Sequence, residues 1–125
     1  ENNIEYMGVG GAIEIIDTIQ NSDFYVHPSY VDNSPNSLCE AQLLGIPIIS
    51  TNVGGISSLI ENGVTGVLVP SNDPFFLAQK LMDLHNDKNI AECLGKSGRI
   101  AAIERHDKLK ILEQNLFVYK QLIEK

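Results

Sequence analysis

The first 79 residues contain neither lysine nor arginine. All nine basic side chains lie from Lys80 onward, while nine of the sixteen acids precede it, and the net charge is −7. A nucleic-acid-binding face needs a basic footprint. Nucleic acid is therefore excluded as a partner. No apolar run approaches membrane-spanning length, and no basic segment followed by an apolar one marks a leader. There is also no initiator methionine: the chain begins Glu1-Asn2-Asn3-Ile4, close to where a strand should start. A piece of a longer protein is expected. Only two cysteines occur, Cys39 and Cys93, and they match no metal-binding spacing. Both are expected to be reduced and buried, which points to a cytoplasmic protein; a parent peripheral to the membrane is compatible with this. Repeats and low-complexity stretches are absent.

What is present suffices for one domain. A chain of 125 residues that is 43% hydrophobic can bury roughly two-thirds of its unfolded surface. Its organising stretch runs from Asp23 to Pro70 and reads as strand, loop, helix, strand, double-glycine loop, helix, strand. Short apolar runs at Phe24–Val26, Ile46–Ile49 and Val67–Val69 suggest parallel strands buried on both faces. Alternation with helical segments implies βαβ units. Ile46 to Thr51 is the most apolar run and so is expected at the centre. Ligands of open parallel sheets bind beyond the carboxyl ends of the strands, where Asp32, Asn33, Ser34, Gly54, Gly55 and Asn72 fall.

Around this core, Ile4 to Val9 is expected as a short strand and Ala12 to Asn21 as a helix with Ile13, Ile16 and either Ile19 or Gln20 on its apolar face, opposite Glu14 and Asp17. The intervening Gly8-Val9-Gly10-Gly11 resembles a dinucleotide fingerprint, but position 13 is Ile rather than Gly, and the next strand ends in His27-Pro28 instead of an acid. A tight turn using glycine's freedom at positive φ accounts for it better. Ser34 and Pro35 predict a helix start with Ser34 as cap, and Gly45 predicts its end. Glu40 stands alone as a carboxylate in that helix; it either meets a partner or is a solvated surface residue. Gly54-Gly55 permits close backbone approach, and a helix from Ile56 to Ile60 would present its amino end to an anion. Ser71 to Pro74 forms another cap. Beyond it the pattern is helical, with Phe76, Leu77, Leu81 and Leu84 in one stripe and Ile90, Leu94 and Ile100 in a second helix kinked near Gly95 to Gly98. A third helix over about Asp107 to Glu124 carries Leu112, Leu116, Tyr119 and Ile123. His85 and His106 should be exposed.

One string, Pro28-Ser29, Asp32, Pro35, Glu40-Ala41, Gly45 to Ile49 and Gly54-Gly55, followed by Glu61-Asn62-Gly63 and Gly66 to Val69, resembles the carboxyl-terminal domain of GT-B retaining glycosyltransferases of family 4 (group 1). The resemblance covers about residues 3–120. It implies an α/β fold, a Rossmann-like parallel sheet with flanking helices, lacking its first two strand–helix units and ending in a helical third. Residues 1–125 would then be a partial nucleotide-sugar donor-binding domain.

The resemblance also implies roles. Glu40 would accept hydrogen bonds from the ribose hydroxyls of a UDP- or GDP-sugar, and Asp32 would face the hydroxyls of the donor sugar. Backbone N–H groups of Asn33 and Ser34, at the helix start marked by Pro35, would hold the diphosphate, with Gly54 and Gly55 beside it. Chemically this is consistent, since a carboxylate accepts two hydroxyls and a helix amino end attracts anions without cations. Two departures are visible: Asp32 stands where Glu is usual, one methylene shorter, and Asn33 replaces a common Gly. No cofactor and no obligatory metal are implied. The acceptor site would come from a missing amino-terminal domain, so this piece alone should be inactive. Ile4–Val9 would have lost its strand neighbours, which implies an exposed sheet edge and self-association through that edge or the last helix, although packing of the last helix on the sheet is favoured. A GT-B sugar-nucleotide epimerase and a non-catalytic module with a decayed site are the alternatives.

Overall fold

The computed structural model describes residues 3–123. Three short strands, β1 (Tyr25–His27), β2 (Ile48–Thr51) and β3 (Val67–Val69), form a parallel sheet in the order β1-β2-β3. The register sets Val26 beside Ile49 and His27 beside Ser50, and continues with Ser50 beside Leu68. Every residue of β2 is buried, as its central position requires. All three strands point the same way, so the loops after His27, Thr51 and Val69 share one rim.

The helices are α1 (Ala12–Gln20), α2 (Asn36–Leu44), α3 (Pro74–Asn86), α4 (Lys88–Arg105) and α5 (Lys108–Ile123), with a single 3-10 turn at Ile56–Ser58. One apolar cluster, on the α1 and α2 side, contains Ile19, Leu38, Ala41, Ile48, Ile56 and Ile60. The other gathers Ile49, Val69, Leu84, Ala91 and Leu94 beneath α3 and α4. Each buried Ile or Leu contributes about 1.5–3 kcal/mol. The sheet is therefore covered on both faces.

Local signals set most boundaries. Gly45 ends α2 at φ +79°, its N–H returning to the carbonyls of Ala41 and Gln42. Asp73 caps α3 by accepting from the Phe76 N–H at 2.9 Å, with Pro74 next in the chain. Glu14 reaches back to the Gly11 N–H at 2.8 Å and closes the start of α1. Gly8 has φ +71°, a conformation that glycine reaches without strain.

Several expectations fail. Ile4 to Val9 is not a strand; Ile4, Tyr6 and Val9 are almost fully exposed, because no described strand lies alongside to satisfy its backbone groups. The sheet edge on this side is β1 instead. On α1 only Ile19 is buried, and Ile13 is 83% exposed. Cys39 is buried but Cys93 is exposed. Ile56 to Ile60 yields one 3-10 turn, too short for a helix dipole to matter. The α4 helix runs unbroken through Gly95 and Gly98. These glycines, three apart and so on one face, are buried against other backbone. A Cβ at Gly95 would overlap the Gly45 carbonyl oxygen, and one at Gly98 would crowd that of Thr65. Each glycine costs about 1 kcal/mol of helix propensity, offset here by the close seating of α4.

Two arginines of α4 complete that contact. Arg99 donates to the Leu43 carbonyl at 2.8 Å, and Arg105 donates to Leu59 O at 3.1 Å and to Gln42 Oε1. Gln42 is 1% exposed, and its amide donates to Leu59 O at 3.0 Å. Cations suit the carboxyl end of α2. By contrast, α5 buries no residue: Leu112, Leu116, Tyr119 and Ile123 are all exposed. It does not pack on the sheet, contrary to expectation. Asp107 caps its start by accepting from the Leu109 N–H at 2.9 Å. Lys110 pairs with Glu104 at 2.9 Å, and that hydrogen bond raises the lysine's pKa above its ordinary value. The expected limit at Glu124 lies outside the described residues.

Candidate functional site

The shared rim is built from three loops. The first, after β1, carries Asp32 to Pro35 and leads into α2. A helix start at Asn36 places Pro35, buried, at the cap position, and Ser34 makes no capping hydrogen bond. The expected Ser34 cap is thus replaced by an uncapped first turn. Among the described residues, the amides of Asn33 and Ser34 donate to no protein acceptor.

The second loop, after β2, lies directly against the first. Gly55 N–H donates to the Asp32 carbonyl at 3.1 Å. A Cβ on Gly54 would overlap that same carbonyl oxygen, and a Cβ on Gly55 would overlap the carbonyl of Asn33. Gly54 also has φ +52°, which disfavours any residue with a Cβ. The paired glycines serve close approach between two protein backbones. The anticipated amino end of a helix at Gly55 does not form.

The third loop, after β3, includes Asn72 at φ +63°. Its side-chain oxygen accepts from the Tyr30 hydroxyl at 3.4 Å, tying the first loop to the third. Pro28, Thr51, Asp73 and Pro74 line a small cleft there.

Asp32 and Glu40 occupy different settings. Asp32 is half-buried, and its Oδ2 lies 3.2 Å from His27 Nε2. Glu40, in the second turn of α2, points away from the core face made by Leu38, Cys39, Ala41 and Gln42. It is exposed, and no hydrogen bond or ion pair joins it to another described residue. The structure therefore brings Asp32, Asn33, Gly54 and Gly55 into contact and leaves Ser34 and Glu40 exposed, with no hydrogen bond joining either to that group. His27 is the contact that periodicity and composition miss; its only sequence signal is its place at the strand end, five residues before Asp32. His85 and His106 are exposed, as expected.

A larger cleft opens at the opposite, amino-terminal edge of the strands, among Phe24, Pro47, Leu84, His85 and Lys88. None of the rim loops reaches it, and it presents charges of both signs.

The family model for glycosyl transferases group 1 matches residues 1–101. The chain belongs to the glycosyl transferase group 1 family. A D-inositol 3-phosphate glycosyltransferase of Paenarthrobacter aurescens is 36% identical over 85 residues, which is 68% of this chain and 21% of that protein. Among solved structures, Anabaena HepE in complex with UDP-glucose superposes with a TM-score of 0.85 at 23% identity, over 97% of this chain and 33% of its own. The sucrose-phosphate synthase of Thermosynechococcus elongatus does so with a TM-score of 0.77 at 30% identity, over 86% and 27%. This group 1 chain thus spans about a fifth to a third of the length of those relatives. Its fold is the Rossmann-like carboxyl-terminal domain of GT-B glycosyltransferases, and none of its described helices is long and apolar enough to cross a membrane.

Proposed function

We propose that residues 1–125 form the donor-binding part of a retaining glycosyltransferase, whose amino-terminal domain supplies the acceptor site. The observation that carries this reading is the seating of Gly54-Gly55 under the Asp32-Asn33 loop at the carboxyl rim. It fixes a turn in which the Asn33 and Ser34 amides meet no protein acceptor among the described residues, at the start of the helix that carries the exposed and unpaired Glu40. A nucleotide-diphosphate sugar meets these groups in order. Glu40 accepts from the ribose hydroxyls, the Asn33 and Ser34 amides and the first turn of α2 hold the diphosphate, and Asp32 faces the sugar.

In the transfer, an acceptor oxygen forms a bond to the anomeric carbon while the bond from that carbon to the diphosphate breaks. The nucleotide diphosphate leaves with the electron pair, charge grows on its terminal phosphate, and the proton released by the acceptor hydroxyl goes to that leaving phosphate. The unpaired amides at the start of α2 are suited to stabilise that charge because, held in the loop, they need not reorganise. Asp32 and Glu40 hold the donor in place, the part of catalysis that orientation supplies.

Titration of the 15N-labelled chain with UDP and with GDP tests the proposal. Binding weaker than that of a whole enzyme is expected, since no cation of this chain pairs with the diphosphate, and the amides of Asp32, Asn33, Ser34, Glu40, Gly54 and Gly55 should shift. The nucleotide that shifts them at lower concentration identifies the base. Shifts confined to the amino-terminal edge would refute the assignment, and affinity equal to that of an intact enzyme would overturn the expected weakness of binding.

A further inference from the structure

Asp32 is held at both ends. Its carbonyl accepts from Gly55, and its carboxylate meets His27. A carboxylate in its ionised form can only accept, and in that form the contact requires the proton on Nε2. One carboxylate oxygen, Oδ2, is thereby engaged, and Oδ1 has no hydrogen-bond partner among the described residues.

His27 is itself fixed with unusual completeness for a strand end. Its carbonyl accepts from the hydroxyls of Ser50 and Thr51, at 3.2 and 3.4 Å. Residues two apart on a strand share a face, and the His27 ring stacks on that of Tyr25 with centroids 6.3 Å apart and planes 15° from parallel. The Tyr25 hydroxyl donates to Ser37 Oγ at 2.8 Å. Ser37 lies on α2, less than one turn before Glu40. A continuous series of contacts therefore runs from the helix bearing one acid, through two rings of β1, to the carboxylate of the other.

We infer that His27 is a positioning residue for the donor sugar. It clamps Oδ2 of Asp32 and turns Oδ1 to the ligand, while Tyr25 and Ser37 fix the imidazole relative to α2. The inference rests on the proposed sugar-facing role of Asp32. An acid on a short side chain reaches its ligand from few orientations, so removal of the clamp affects the sugar end of the donor and spares the nucleotide end. A merely structural role would affect both ends alike.

The test compares His27→Leu, His27→Gln and Asp32→Asn by NMR titration of the chain with UDP and with UDP-glucose. Loss of a hydrogen bond to a charged group predicts that His27→Leu weakens UDP-glucose binding about tenfold, with UDP affinity unchanged. His27→Gln, whose amide nitrogen can stand where Nε2 does, should recover most of the loss. Unaltered UDP-glucose affinity in His27→Leu, or equal weakening of both ligands, would overturn the inference. Should His27→Leu fail to fold, His27→Gln against His27→Asn carries the same contrast, because Asn falls short of Oδ2. A wild-type chain that binds neither these ligands nor GDP and GDP-glucose, or an Asp32→Asn variant that binds UDP-glucose like wild type, would refute the donor reading itself and the positioning role with it.

Discussion

Glu40→Ala should abolish measurable sugar transfer in the full-length protein while leaving its melting temperature unchanged. Both halves follow from where the side chain stands. It is exposed and bonded to no other described residue, and α2 is anchored by Leu38, Cys39, Ala41 and Gln42 on its other side. Alanine is also a better helix former than glutamate, so the fold loses nothing. On the role proposed for Glu40, the donor loses two charge-assisted hydrogen bonds at about 1.5–3 kcal/mol each, a fall in turnover efficiency of about 10²–10⁴-fold. Steady-state kinetics with the donor varied, beside a thermal melt, checks the prediction. Normal turnover in the variant would remove Glu40 from the site.

Gly54→Ala should harm both fold and site. Its φ of +52° opposes a Cβ, and the Asp32 carbonyl occupies the space that the Cβ would take. Strain in the left-handed region adds about 1–2 kcal/mol, and overpacking against a fixed backbone adds about 1–3 kcal/mol. Relief requires the Asp32-Asn33 loop to move, which breaks the Gly55 to Asp32 hydrogen bond. Gly63→Ala is the matched control: φ is +78° there too, but nothing lies within 4 Å. Urea unfolding of both variants separates the terms. Gly63→Ala reports the strain alone, and the excess in Gly54→Ala reports the close approach. Equal destabilisation would mean that the two loops can part freely.

The sequence read well where a local cause acts alone. Gly45 stops α2 because glycine reaches φ +79° cheaply; Asp73-Pro74 starts α3 through a cap and a preset φ. The central place of β2 was legible because four consecutive buried residues need a sheet on both sides. The misreadings share a different cause. Periodicity says which residues share a face and not whether anything faces them, so Ile13 on α1 and Leu112 on α5 read as core and are exposed. Gly95 and Gly98 suggest a break, yet they serve packing with Gly45 and Thr65, which only tertiary structure discloses. At the site, Asp32, Asn33, Gly54 and Gly55 were legible as a group by their places after strands. Ser34 as a cap was not borne out. The His27 to Asp32 contact depends on how one loop folds back, and the Gln42 to Arg105 contact joins residues 63 apart.

The confinement of every lysine and arginine to the stretch beyond residue 79 bears on how an anionic donor arrives. For the proposed donor, encounter with a rim carrying Asp32 and Asp73 would be repulsive at long range, and the repulsion would reach farther as ionic strength falls. Background electrolyte would therefore hasten capture on this surface, whereas phosphate sites lined by cations are weakened by it.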